Sequence, residues 1–251
     1  MEPVLQHKEV VLDVSNLCKS FGNNHVLRNF SLRVLKGENV VVVGKSGSGK
    51  SVLIKCIIGL MMADSGTVIL LGKDVSLISV NELDKIRARV GFLFQSNALY
   101  DSMTVRENLL FPLRRHWLKR ESTDEESLVR EALANVGLEH TLDMMPAELS
   151  GGMRKRIALA RTLILKPQLI LYDEPTTGLD PITSREIIAL MNTISKKYNA
   201  ASVIISHDMN CIKMAADRLV MLIDGRCYAE GNYESLKKHD DAKVAAFFEG
   251  E

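Results

Sequence analysis

The sequence predicts an α/β fold: a mostly parallel core sheet with helices on both sides, an antiparallel β part before it and an all-helical insertion. Three observations carry that expectation. Short apolar, β-branched runs alternate with amphipathic helical patterns, several of those runs end in a glycine-rich or acidic turn, and strand signals stop between Ser96 and Glu148.

Val10 to Val14, followed by Leu17, Phe21 and the turn Gly22-Asn23-Asn24, reads as the first strand of a hairpin, with Val26 to Val34 as its partner. Val40 to Val43 has no polar interruption, as expected of a strand buried on both faces. The glycine-rich run Gly44 to Ser51 comes next, and then an apolar helix, Val52 to Ile58, stopped by Gly59. Ser65 to Gly72 reads as a strand in an antiparallel sheet, and Val90 to Phe94 as an apolar strand ending at Gln95. Two helical patterns follow, around Val105 to Leu113 and Glu125 to Val136, with the first bent or stopped by Pro112 and the second ended by Gly137. Trp117 reads as a partly exposed anchor of the polar connection between them.

Further on, Met153, Ile157, Ala160 and Ile164 recur at helical spacing, with Arg154, Lys155 and Arg161 on the opposite face. Leu169 to Tyr172 is a strand running into Asp173-Glu174. A helix from Thr183 to Lys197 carries Thr183 and Glu186 at capping-box spacing. Val203 to Ile205 is a strand ending in Ser206-His207-Asp208, and after Gly231 the chain reads as a short, charged, helical tail. The expected organisation is a single domain over residues 9–247. Its core comprises 9–95 and 153–230, its helical part 96–152, and its tail 231–251.

Bulk composition narrows the partners. Lys+Arg of 32 against Asp+Glu of 31 leaves a net charge of +1, so no global field draws nucleic acid or an anionic membrane, and no nucleic-acid partner is expected. The apolar fraction of 46% is ample for a core, yet no run approaches the ~20 apolar residues needed to cross a bilayer. Met1 to Lys8 lacks a signal-peptide apolar region, so a cytoplasmic location is expected. Cys18, Cys56, Cys211 and Cys227 are scattered, which argues for reduced structural thiols and against zinc.

The chemistry concentrates at strand ends. Gly44, Ser46, Gly47, Ser48, Gly49, Lys50 and Ser51 fit G-x-x-x-x-G-K-S between a strand and a helix. Such a loop cradles a polyphosphate in backbone N–H groups, Lys50 reaches the β and γ phosphates, and the Ser51 hydroxyl ligates Mg²⁺. Asp173 is placed to hold Mg²⁺ and Glu174 to polarise an attacking water. Gln95 suits a contact to Mg²⁺ or that water, and His207 suits either a γ-phosphate contact or a structural role. Phe21 suits either purine stacking or closure of the hairpin. Ser150, Gly151 and Gly152 open a second helix able to take an anion. If the insertion carries that tip away from the first loop, one chain cannot close both on one nucleotide, whereas two copies can.

In this order, Gly44 to Ser51, Gln95, Leu149 to Met153, Leu169 to Glu174, Gly178-Leu179-Asp180 and His207 resemble the Walker A, Q-loop, signature, Walker B, D-loop and switch motifs of ATP-binding cassette ATPases. The resemblance covers nearly the whole chain. It implies ATP and Mg²⁺ as cofactors and a head-to-tail homodimer with each ATP between Walker A of one copy and the signature of the other. It also implies Phe21, at a position commonly Tyr, stacking on adenine. Leu93 to Val105, Asn108, Phe111 to Arg114, Met145 to Met153 and Asp180 to Thr183 are similar to ATPases of bacterial phospholipid transporters that work with a periplasmic MCE protein. Met153 stands where the wider family has Gln. That similarity implies a peripheral place on the cytoplasmic face of the inner membrane and integral permease subunits as partners. Leu99, Tyr100 and Met103 suit a groove for a permease helix or packing of the insertion. The alternatives are a transporter of another substrate, a small-solute importer or a lipoprotein or drug exporter, and, behind it, a soluble nucleic-acid-linked cassette protein.

Overall fold

The N-terminal hairpin forms as the residues dictate: β1 (Val10–Phe21) and β2 (Asn24–Leu35) pair antiparallel across the two-residue turn Gly22-Asn23, where Gly22 takes φ 58°. A computed structural model describes residues 9–116 and 124–249, and Trp117 lies outside them. Along the chain follow β3 (Asn39–Val43), α1 (Lys50–Ile57), β4 (Ser65–Leu70), β5 (Lys73–Asp74), α2 (Val80–Arg87) and β6 (Val90–Leu93). Helices α3 (Val105–His116), α4 (Glu125–Ala134) and α5 (Gly151–Leu163) occupy the stretch without strands. The chain then alternates: β7 (Leu169–Asp173), α6 (Pro181–Tyr198), β8 (Ala201–Ile205), α7 (Met209–Ala215) and β9 (Arg218–Ile223). It finishes with β10 (Arg226–Gly231), α8 (Tyr233–Lys237) and α9 (Ala242–Phe248).

Two sheets result. One is antiparallel with order β2-β1-β4-β5; the other has order β10-β9-β3-β8-β7-β6, parallel except for the edge strand β10. Strand β3 sits at its centre and is buried on both faces. Val40 and Val42 join one core with α1 and the antiparallel sheet, while Val41 and Val43 join a second with α5, α6 and α7. This two-residue alternation explains why four consecutive valines are needed. A third core lies among α3, α4 and one face of α5. Helix α5 therefore serves two cores: Ala158, Leu159 and Leu163 face the sheet, and Ile157, Ala160 and Ile164 face the inserted helices.

Two sequence expectations are corrected. Helix α3 neither stops nor ends at Pro112 but runs on to His116, because one missing helical bond is offset by burial of Leu109, Leu110 and Leu113. Helix α6 is capped by Asp180, not by a Thr183–Glu186 box. The Asp180 carboxylate accepts from the Ile182 and Thr183 amides, Pro181 fills the first turn, and Glu186 pairs with Arg156 at 2.6 Å. Lys155, placed by helical spacing on the face opposite the apolar stripe, is itself covered, with only 1% of it exposed.

The cap yields a prediction. Asp180→Ala leaves those two amides unbonded and is expected to lower the thermal midpoint by about 3 °C in a calorimetric scan. Hydrogen bonds from the Thr183 hydroxyl and amide hold the Asp180 carboxyl below its ordinary range. The cap's contribution is therefore complete above the unfolded carboxyl's pKa and is lost as pH falls through the folded value.

Candidate functional site

The parallel register brings the predicted motifs together. Val42 of β3 pairs with Ile205 of β8, and Ile205 pairs with Asp173 of β7; one strand further, Leu93 of β6 pairs with Tyr172. Four adjacent strands thus release Gly44, His207, Glu174 and Gln95 at one edge, the carboxyl ends where ligands gather in open α/β sheets.

The loop after β3 turns through Gly47 at φ 77° and Gly49 at φ 104°. A Cβ on Gly49 would meet Val26 Cγ1 at 2.8 Å, so both the backbone angle and the packing demand glycine. Lys50 folds back under the loop, donating to the carbonyls of Gly44 at 2.7 Å and Lys45 at 3.0 Å. Burial lowers the Lys50 pKa, partly opposed by the charges of Glu174 and Asp173. Ser51 is exposed on the first turn of α1.

Asp173 ends β7 with its carboxyl raised by burial and by the neighbouring Glu174 charge, against the pull of Lys55, Lys50 and Lys155. Glu174 leaves the strand at φ 51°, a left-handed conformation costing of order 1 kcal/mol for a residue with a Cβ. Its amide donates to the Ile205 carbonyl at 3.0 Å. Its carboxylate, 13% exposed, lies 2.8 Å from His207 Nδ1 and accepts from the Thr177 hydroxyl at 3.3 Å. A carboxylate only accepts, so His207 presents Nδ1–H to it and turns Nε2 toward solvent.

A cavity of about 1160 Å³ opens against the loop, lined by Asn24, His25 and Val26 of the hairpin, Gly44 to Ser48, and Asp224 to Arg226. Phe21 stands outside this wall at the hairpin turn, paired with Asn24. At 49% exposed it does not close the hairpin as a core residue, and the Lys19 ammonium sits 5.6 Å from its ring centre. Ser150, Gly151 and Gly152 do not line the cavity either. They head α5, where the Ser150 hydroxyl accepts from the Met153 amide at 3.2 Å.

The fit for nucleotide and Mg²⁺ rests on two buried oxygens. Ser48 Oγ in the loop and Asp173 Oδ1 beside it lack hydrogen-bond partners, a costly state for a group not built to meet a ligand. Among the described residues no three His, Cys, Asp or Glu side chains cluster as a metal cage. That suits Mg²⁺, which takes few protein ligands beside phosphate and water.

A family model described as ABC transporter matches residues 27–177, over half the chain. The chain belongs to the ABC transporter ATP-binding family. The cassette is 37% identical over 241 residues to the intermembrane phospholipid transport system ATP-binding protein MlaF of Haemophilus influenzae, covering 96% of this chain and 91% of that one. It is 40% identical to the probable ribonucleotide transport ATP-binding protein mkl of Mycobacterium bovis, covering 96% of this chain and 67% of that one. A solved ATP-binding cassette, a dimer in a post-hydrolysis state with ADP and phosphate, superposes with TM-score 0.80 at 31% identity, over 88% of this chain and 98% of that one. The cassette is thus an ATPase that uses ATP with Mg²⁺, and cassettes of this family dimerise.

Sequence reasoning missed several elements that shape the site. Strand β9 lies beside β3, and Leu219 to Ile223 is the kind of unbroken apolar run that marks a parallel strand. Helices α2 and α7 are short and weakly patterned. Lys155 and Asn108 were not recognised as buried polar residues, because helical spacing alone does not say what covers a face.

Proposed function

We propose that two copies of this chain enclose two ATP molecules and, by hydrolysing them, drive a membrane permease that moves phospholipid. The observation that carries the reading is the in-register convergence of the Lys50 loop, Asp173-Glu174 and His207 on adjacent strands, while the Ser150-Gly151-Gly152 tip heads α5 and does not line the cavity against the phosphate loop. A second copy supplies that tip. Backbone amides of residues 44–49 and the Lys50 ammonium bind the phosphates, and Phe21 meets the adenine from the hairpin side. Ser51, Asp173 and Gln95 hold Mg²⁺, which when bound neutralises charge on the β and γ phosphates. Glu174 orients the attacking water and accepts its proton, and His207, held by Glu174 through Nδ1, faces the γ-phosphate with Nε2.

The cargo reading rests on the near full-length match to MlaF and on the residues around Gln95. Phe94 and Tyr100 are exposed apolar side chains, and the Tyr100 ring lies tilted against Phe111 with centres 4.8 Å apart, a surface suited to a permease helix. No described helix is long and apolar enough to cross a membrane. A peripheral place on the cytoplasmic face, beside a permease and an MCE-type partner, fits this surface.

Complementation tests the shared site. A Cβ on Gly151 meets nothing within 4 Å, so Gly151→Asp keeps the fold while placing a negative charge at the anion tip. Lys50→Ala and Gly151→Asp are each expected to lose ATPase activity, and mixing the two purified variants is expected to restore it through one intact composite site. A silent mixture overturns the shared site. Cargo is tested with the cassette–permease complex in nanodiscs, where phospholipid composition, and not added ribonucleotide, is expected to change the ATPase rate.

A further inference from the structure

Two cations on α5 reach across to one loop. Lys155, 1% exposed, places its ammonium 3.4 Å from the Phe94 carbonyl and 3.3 Å from the Gln95 carbonyl. Arg161 donates to the carbonyls of Asn97 at 3.0 Å and Ala98 at 2.8 Å, and its guanidinium lies 5.9 Å from the centre of the Tyr100 ring. The loop turns sharply here, the Asn97 amide donating to the Phe94 carbonyl at 3.1 Å, and the two anchors hold carbonyls on both sides of that turn.

The loop needs them. Asn97 and Ala98 take φ 64° and 51°, consecutive left-handed residues; the buried Asn97 Oδ1 has no hydrogen-bond partner and Ala98 has no polar side chain, so neither oxygen nor methyl favours that state. Their carbonyls are the ones Arg161 holds. Burying a lysine is costly unless its donors are used, and Lys155 has the Asp173 and Glu174 charges facing it from the end of β7. Burial nonetheless pulls its pKa down to about 8.

We infer that Lys155 and Arg161 are positioning residues that fasten the Gln95 loop to α5, so that this loop is held in the place from which Gln95 meets Mg²⁺. Neither side chain lines the cavity against the phosphate loop. The inference rests on the reading of Gln95 as a Mg²⁺ ligand for its effect on metal binding, and on geometry alone for its effect on the loop.

The experiment uses the full chain with trinitrophenyl-ATP fluorescence over a Mg²⁺ titration, alongside backbone hydrogen exchange. Lys155→Gln is expected to raise the half-saturating Mg²⁺ concentration about tenfold, leave affinity in EDTA unchanged, and speed exchange in residues 96–104 but not in α5. Lys155→Arg recovers wild-type behaviour. Arg161→Lys, which keeps the charge and loses the fork, speeds exchange in the same segment and covers the case in which Lys155→Gln does not fold. Unchanged exchange in both variants overturns the clamp, as does a fall in EDTA affinity, which would place the damage in the phosphate loop. Gln95→Ala separates the two readings. If it keeps the wild-type Mg²⁺ requirement while Lys155→Gln still loosens the loop, the metal role of Gln95 fails and the clamp stands.

Discussion

Glu174→Gln is expected to retain ATP binding while turnover falls by about 10²–10⁴-fold. The substitution preserves shape. An amide oxygen still accepts from the Thr177 hydroxyl and from His207 Nδ1–H, and the Glu174 amide bond to Ile205, which fixes the left-handed exit from β7, is a backbone contact. What changes is basicity, because an amide cannot take a proton from water at neutral pH. Phosphate release reports turnover and trinitrophenyl-ATP fluorescence reports binding. Undiminished phosphate release would remove Glu174 from the role of base and return the pair Asp173-Glu174 to a purely electrostatic one.

The largest effect on stability is expected at Asn108. Its side chain is fully buried; Nδ2 donates to the carbonyls of Tyr100, Met103 and Thr104, and Oδ1 accepts from the Tyr100 amide at 2.8 Å and from Arg161 at 3.4 Å. Asn108→Ala removes both ends of this bridge and strands several backbone groups in a dry setting, for an expected loss of about 3 kcal/mol in urea unfolding. Asn108→Asp is expected to be worse although it is nearly isosteric, because a carboxylate oxygen would then face three carbonyls. Equal stability of the wild type and Asn108→Ala would mean that the turn from Tyr100 to Thr104 is held by α3 packing alone.

Legibility in the sequence followed the physics of each signal. Val40 to Val43 and Leu169 to Tyr172 were readable because a parallel strand must be apolar on both faces, and the phosphate loop because its glycines answer a backbone demand. Asp180 was passed over as the α6 cap because Thr183 and Glu186 offered a competing spacing, and spacing does not reveal that Pro181 already begins the helix. Lys155 and Arg161 were placed only on the face opposite the apolar stripe of α5, because a helical wheel shows which residues share a face and not what lies against it. The carbonyls they hold belong to a loop some sixty residues away in the chain, and no local pattern encodes that.

The folded-back ammonium of Lys50 has one more implication. By donating to the carbonyls of Gly44 and Lys45, it ties the loop to its own backbone. Arrival of a triphosphate then trades one set of partners for another, with little chain left to freeze. Selectivity falls on electrostatics, since only an anion rewards the lysine for letting go, and an uncharged nucleoside finds the door already latched from within.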